Sequence, residues 1–340
     1  MKKILIARTD RVGDVVMITP MIRELKRTYP DSFIAALVSK YTSDILLHNP
    51  HLDDIIIDEP DKNFWKTVRQ IRKHKFTDGL LTWPMKRPAY QMFLGGVKNR
   101  IGVGRKLYEV ITFMKSVSRN DYTPLRHEAD YCMDLARRIG VETDDLTPEI
   151  FVTPEEKDTA HEFLTGRNVY KTDKKIIIHT GYGHSSPNWS ENKYFELAKE
   201  ILERSGPDTK LILTAPEMTV TLSEKLASVN SDRIIDLSRH ILSLRELIGL
   251  ISVCDVVVSS STGPMHLASA MGVNTVSIFC HNAMCRVKRW GALGDKAHNI
   301  EVASEFCRNN CHEVVEECRI EAGIGIHRVL NEILPLISHS

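Results

Sequence analysis

The run Val256-Val257-Val258-Ser259-Ser260-Ser261-Thr262-Gly263-Pro264-Met265-His266-Leu267-Ala268-Ser269-Ala270-Met271 decides how this chain is read. Three consecutive β-branched residues suit a strand buried on both faces, as in a parallel sheet. Pro264 then fits the first turn of a helix, where an amide has no intrahelical partner to lose. Between strand and helix lie hydroxyls and Gly263, which lets a ligand approach the backbone. Free amides, hydroxyl donors and the positive end of a helix dipole together make an anion site, and a phosphate or pyrophosphate is its natural guest. The same residues would also serve an ordinary strand-to-helix turn capped by Ser261 or Thr262.

Working outward, 340 residues are too many for most single cores, and two domains are expected. Hydrophobic content of 42% and charged content of 26% belong to a soluble globular protein. A net charge of +1 gives no support to general polyanion binding, so nucleic acid is not favoured as a partner. No apolar run approaches the ~20 residues that span a bilayer, and the short one after Met1 reads as a first strand rather than a signal peptide. The 7 cysteines are odd in number and scattered, which points to a reducing, cytoplasmic compartment. Cys307, Cys311 and Cys318, with His312, form the one cluster; it lacks paired Cys-x-x-Cys knuckles, and no metal site is expected.

Strand patterns at 3–7, 33–38, 55–57 and 79–82 alternate with helical patterns at 15–28, 41–47 and 64–73. The alternation restarts with strands at 175–179, 210–214, 234–237, 255–259 and 275–279 and helices at 191–203, 218–228, 244–252 and after Pro264. Such spacing implies α/β architecture, with parallel sheets wound on both faces. Between the halves, 84–126 reads as a loop-rich basic insertion carrying Lys86, Arg87, Lys98, Arg100, Arg105, Lys106, Lys115, Arg119 and Arg126. These either grip an anionic acceptor or form a solvated surface. Residues 127–139 look helical, and 140–154 is the candidate linker, which extends to 173 if one further helix intervenes. Domains at 1–153 and 154–340 follow, and the apolar stripe at 320–337 closes the chain as a helix free to return to the first domain. Two doubly wound domains are expected to face each other across a cleft, with the chemistry in the loops at the carboxyl ends of their strands.

The first such loop is Arg8-Thr9-Asp10-Arg11-Val12-Gly13-Asp14. One glycine instead of three rules out a dinucleotide fingerprint and speaks against a dehydrogenase or epimerase. Asp14 is placed to take a proton as a general base, and a first-turn helix carboxylate is its structural alternative.

Three motifs now combine: Arg8-x-x-Arg11-Val12-Gly13-Asp14 followed by Pro20; His179-Thr180-Gly181-Tyr182-Gly183 with Trp189; and Ser261-Thr262-Gly263-Pro264-Met265-His266-Leu267-Ala268 with Gly272 and Ile278-Phe279. Together they resemble glycosyltransferase family 9, the heptosyltransferases of lipopolysaccharide core assembly. The resemblance implies a GT-B fold, acceptor in the first domain, nucleotide-sugar in the second, inversion at the anomeric carbon, and no metal or other cofactor. ADP-heptose is the implied donor and an anionic lipid-linked oligosaccharide the acceptor. The implied setting is the cytoplasmic face of the inner membrane, with peripheral contact.

Residue by residue, Asp14 matches the family's base, with Asp10 next in line, and Arg8 and Arg11 fall on the acceptor side. Thr180, Gly181, Ser185, Ser186, Ser261, Thr262, Gly263, Pro264 and His266 fall on the donor side, and Glu217 resembles a ribose-binding acid. Two departures stand out. Pro187 occupies the place of a lysine that many members carry two residues before the tryptophan, and Ser261 that of an aspartate before Thr-Gly. They admit another nucleotide-sugar, compensation by Arg8, Arg11 or His184, or a non-catalytic nucleotide-sugar-binding scaffold.

Overall fold

Ile4-Leu5-Ile6-Ala7 is apolar without alternation, and all four residues are buried, as the centre of a sheet covered on both faces requires. The computed structural model describes the whole chain except residues 60–63, 105, 182, 184–185, 216–223, 227–228, 230–231, 239, 241, 312–317 and 339–340. It divides into two units, Met1–Phe151 and Val152–Ser340.

In the first unit, strands β1 (Lys3–Ala7), β2 (Phe33–Ser39), β3 (Asp54–Asp58), β4 (Asp78–Leu81), β5 (Asn99–Val103) and β6 (Lys115–Val117) form one parallel sheet in the order β3-β2-β1-β4-β5-β6. Helices α1 (Val12–Val16), α2 (Thr19–Thr28), α3 (Phe64–His74), α4 (Lys86–Leu94), α5 (Leu107–Ile111) and α6 (Glu128–Arg137) lie between and after the strands. The order reverses between β1 and β4, the switch point where open α/β sheets hold ligands.

The single helix expected over 15–28 is two helices, with Pro20 in the first turn of α2. Proline offers no N–H to an earlier turn, so it starts a helix better than it continues one. At 41–47 the structure has one short 3-10 turn, Ser43–Leu46, instead of a full helix. The expected loop-rich insertion at 84–126 is corrected: it holds α4, β5, α5 and β6. Its elements are short, and Pro88 and the exposed edge strand β6 blur their periodicity.

In the second unit, β7 (Lys174–His179), β8 (Thr209–Thr214), β9 (Ile234–Asp236), β10 (Val256–Ser260), β11 (Asn274–Phe279) and β12 (Ala297–Glu301) form a second parallel sheet, in the order β12-β11-β10-β7-β8-β9. Its switch point lies between β7 and β10, where Val258 stands opposite Ile178 and Ser259 opposite His179. Helix α7 (Pro154–Thr165) starts in a reciprocal box: Thr153 Oγ1 accepts from the Glu156 N–H, and Glu156 accepts from the Thr153 N–H. α8 (Glu191–Arg204) and α9 (Leu244–Ser252) follow, with Ser243 and Glu246 closing the same box on α9.

Beyond α10 (Gly263–Ala270) come α11 (Val287–Trp290), α12 (Ser304–Asn310), α13 (Ile320–Gly323) and α14 (Ile326–Ile337). The closing stripe is thus two helices, and Val329, Leu330, Ile333 and Ile337 of α14 join the core of this unit with Val258 and Ile278. Most of the helix expected at 218–228 lies outside the described residues. No helix among the described residues is long and apolar enough to cross a membrane.

Candidate functional site

Arg8 is the residue after β1, and it is buried. Its Nε donates to Asp10 Oδ1 at 2.8 Å, and its Nη2 donates to Asp14 Oδ1. Nη1 reaches the Thr82 carbonyl and Glu128 Oε1, both at 3.4 Å, and the guanidinium lies 5.3 Å from the Trp83 ring centre. Arg119 grips the same carboxylate from the other side, Nη1 donating to the two Glu128 oxygens at 2.9 and 3.1 Å and Nη2 to the Thr82 carbonyl at 3.0 Å. Two guanidiniums therefore face three carboxylates, of which Glu128 is fully buried and Asp10 and Asp14 are partly buried.

That imbalance sets the acid–base chemistry. Burial pushes the Asp14 carboxyl up to about 6, and Arg8 opposes the rise while Asp10 and Glu128 add to it. Burial also works against the Arg8 charge, but its anionic neighbours, Asp14 foremost, outweigh it and hold the group above the ordinary guanidinium range. A carboxylate poised near 6 suits a general base at neutral pH: it is ionised, yet basic enough to accept a proton. Asp14 is also an acidic first-turn residue of α1, so both readings of its position describe it. Arg11, the N-cap of α1, is exposed.

Sequence reasoning missed Glu128, Thr82 and Trp83, and placed Arg119 among acceptor-gripping cations. The structure instead uses Arg119 as a buried partner of Glu128. Other members of that basic set are also engaged: Arg87 with Asp58 at 2.9 Å, Arg126 with Asp130 and Asp134, and Arg100 with the carbonyls of Thr112 and Val97. Lys86, Lys98, Lys106 and Lys115 are exposed, and Arg105 lies outside the described residues.

In the second unit the turns after β7 and β10 are neighbours because the strands are. Ser186 Oγ donates to the Ser261 carbonyl at 2.9 Å, which ties the two turns together. Asn188 Nδ2 donates to the Thr180 carbonyl at 2.7 Å and accepts at Oδ1 from the Tyr194 hydroxyl at 2.8 Å, fixing the path of the first turn. Thr180, Gly181 and Ser186 are brought together here with Ser261, Thr262, Gly263 and Pro264; Ser185, His184 and Glu217 lie outside the described residues. Side-chain volume is restricted at Gly181, where an added Cβ would come within 3.2 Å of His179 Nε2. Burial draws the His179 pKa down to about 4, so its ring, 3.0 Å from Thr214 Oγ1, brings no charge at neutral pH.

Thr262 is the N-cap of α10 in extended conformation, and Pro264 lies in the first turn. The Thr262 side chain makes no capping hydrogen bond to the helix; its hydroxyl lies 3.4 Å from Ser259 Oγ. The start of α10 thus turns uncapped amides and the positive end of a helix toward the switch point. His266 is buried one turn further on, its ring edge-on to Trp290 at 6.1 Å. Trp189 is a core residue edge-on to Tyr194.

Cys307 and Cys318 pack against the same core as Cys280, at the end of β11, a partner the sequence did not suggest. The Cys318 thiol, the Asn282 N–H at 3.3 Å and the Cys307 thiol draw the Cys280 pKa to about 6 against its burial. His312 lies outside the described residues, and among the described residues no group of three or more side chains is set to hold a metal ion.

Two Rossmann-like parallel sheets, each with its motif loop at a switch point, are the architecture of GT-B glycosyltransferases. Residues 65–321 match the sequence profile of glycosyltransferase family 9 (heptosyltransferase), and the chain belongs to that family. A Haemophilus influenzae protein provisionally named a glycosyltransferase is 26% identical over 305 residues, 87% of each chain. Among solved structures, the Escherichia coli ADP-heptose lipopolysaccharide heptosyltransferase II superposes with a TM-score of 0.78 at 20% identity, covering 99% of this chain and 98% of that one. The Escherichia coli heptosyltransferase WaaC with ADP gives 0.71 at 12% identity, covering 98% and 99%.

Proposed function

We propose that this family 9 glycosyltransferase moves a heptose from ADP-heptose to a lipid-anchored lipopolysaccharide core acceptor at the cytoplasmic face of the membrane, with inversion at the anomeric carbon. The observation that carries the reading is the paired turns at the β7–β10 switch point, tied by the Ser186 hydroxyl to the Ser261 carbonyl beside an uncapped helix start. Such a site suits a diphosphate, and a heptosyltransferase of the same fold is described with ADP.

In this reading the Thr262, Gly263, Thr180 and Gly181 backbone, the Ser186 and Ser261 hydroxyls, Pro264 and His266 form the donor side. Fixed N–H dipoles there stabilise the charge that grows on the departing nucleoside diphosphate. Asp14 takes the proton of the attacking acceptor hydroxyl as the new glycosidic bond forms and the sugar–phosphate bond breaks. Arg8 keeps Asp14 oriented and in its ionised form, and exposed Arg11 meets anionic groups of the acceptor. A thermal-shift comparison of ADP, UDP, GDP and NAD tests the donor, because a ligand bound only by the native state raises its stability. ADP should give the largest shift; a larger shift with NAD would sink the reading, and UDP or GDP in first place would change the donor.

Pro187 and Ser261 favour one second reading, a nucleotide-sugar-binding scaffold without turnover. Release of ADP from ADP-heptose in the presence of a core acceptor separates the two.

A further inference from the structure

The short helix α5 is inside out. Leu107, Val110 and Ile111 share one face at helical spacing and are exposed by 75, 69 and 49%, and Phe113, just past the helix, by 75%. The opposite face, Tyr108, Glu109 and Thr112, is buried. Glu109 Oε2 accepts from the Lys106 N–H and the Ser116 hydroxyl, both at 3.4 Å, and burial raises its pKa. Thr112 Oγ1 donates to the Tyr108 carbonyl at 2.8 Å. A helix that sends its carboxylate inward and three large apolar side chains outward, with Phe113 beside them, has the reverse of the usual pattern.

The segment is firmly held from below. The Phe113 ring lies 6.2 Å from that of Phe93, Arg100 stacks 5.2 Å from Phe93, and Arg100 Nε donates to the Thr112 carbonyl at 2.9 Å. The apolar crest is therefore presented by a built base. Along residues 106–119 the exposed charge is of one sign: Lys106 and Lys115 flank the crest, and the one carboxylate in that stretch is the buried Glu109. A second copy meeting this face through a two-fold contact would bring like charges together. Apolar side chains that enter an acyl layer while lysines meet anionic head groups match it on both counts.

We propose that Leu107, Val110, Ile111 and Phe113, flanked by Lys106 and Lys115, form a docking crest for the surface of an anionic phospholipid bilayer. The crest rests on the membrane-face setting of the proposed function and names the residues that meet the bilayer; its binding is measured without catalysis, so it fails or stands apart from sugar transfer. Vesicles of equal parts phosphatidylethanolamine and phosphatidylglycerol, and vesicles of phosphatidylcholine alone, are the probes, with flotation as the readout. The protein should float with the first and not with the second.

Leu107→Ser with Val110→Ser should abolish flotation while leaving circular dichroism and melting unchanged, since both side chains already face water. Lys106→Gln with Lys115→Gln should weaken partition by about twenty-five-fold, near fivefold for each lysine. Phe113→Trp should emit at shorter wavelength once anionic vesicles are added. Failure of the native chain to float, flotation of the serine variant to the native extent, or a native dimer that the serine variant dissociates would each overturn the proposal.

Discussion

Arg8 and Glu128 meet at 3.4 Å in a buried space although 120 positions separate them along the chain. Through this contact the loop after β1 is fastened to α6, and Arg8 is left with one arm for Asp14. Glu128 in turn is shared with Arg119, so the acid–base group at the first switch point depends on residues far from it in sequence.

Replacing Asp14 by asparagine keeps the shape and removes the proposed base. Sugar transfer should fall by about two to four orders of magnitude, while the thermal shift given by ADP stays as it was. Unchanged turnover would take Asp14 out of the mechanism.

Because burial holds Asp14 at about 6, the protonated form takes over below that pH, and kcat/KM should drop about tenfold per unit there. Arg8 opposes the rise, so Arg8→Met should move the acidic limb upward by about 1–3 units. The sign for stability is the reverse of that for a salt-bridged carboxylate whose pKa is depressed. A folded-state value above the unfolded one means this group favours the fold below about pH 4, and that contribution is lost as pH rises through about 6. A pH–rate profile with no limb near 6 would contradict this assignment.

Glu128→Ala would leave the Arg8 and Arg119 guanidiniums buried without their common counter-charge. Breaking one side of a buried ion pair costs about 3–5 kcal/mol, and urea unfolding should report a loss of that order. A much smaller loss would mean that water reaches the pair.

Pro187→Lys would supply the cation that the family resemblance leads one to expect beside the diphosphate. A charged hydrogen bond contributes about 1.5–3 kcal/mol, so ADP should bind roughly tenfold or more tightly by calorimetry. No gain would show that the turn holding Pro187 lies out of reach of the phosphates.

The two sheets were legible because buried parallel strands write themselves as unbroken apolar runs: Ile4-Leu5-Ile6-Ala7 and Val256-Val257-Val258 are such runs, and both lie at sheet centres. The loops carrying Asp14 and Thr262 were legible for a related reason, since a motif that directly follows such a run lies at the carboxyl end of its strand. Glu128, Arg119, Trp83 and Cys280 were not. Each is brought in by a different element, and no local periodicity encodes which distant side chain will share a buried space. α5 escaped for another reason: its five residues are too few to show a helical period inside a stretch read as loop-rich.

In both sheets the motif loops begin at the carboxyl ends of the strands, as the ladder hydrogen bonds run out. Pro187 and Ser261, the two departures from the family pattern that the sequence suggests, both lie outside the strands, where substitution leaves every inter-strand bond in place. Taste for a donor can therefore drift among descendants of this architecture while the scaffold's folding stays untouched. A change of specificity in evolution, or at the bench, should be sought at those turn positions before any strand is altered.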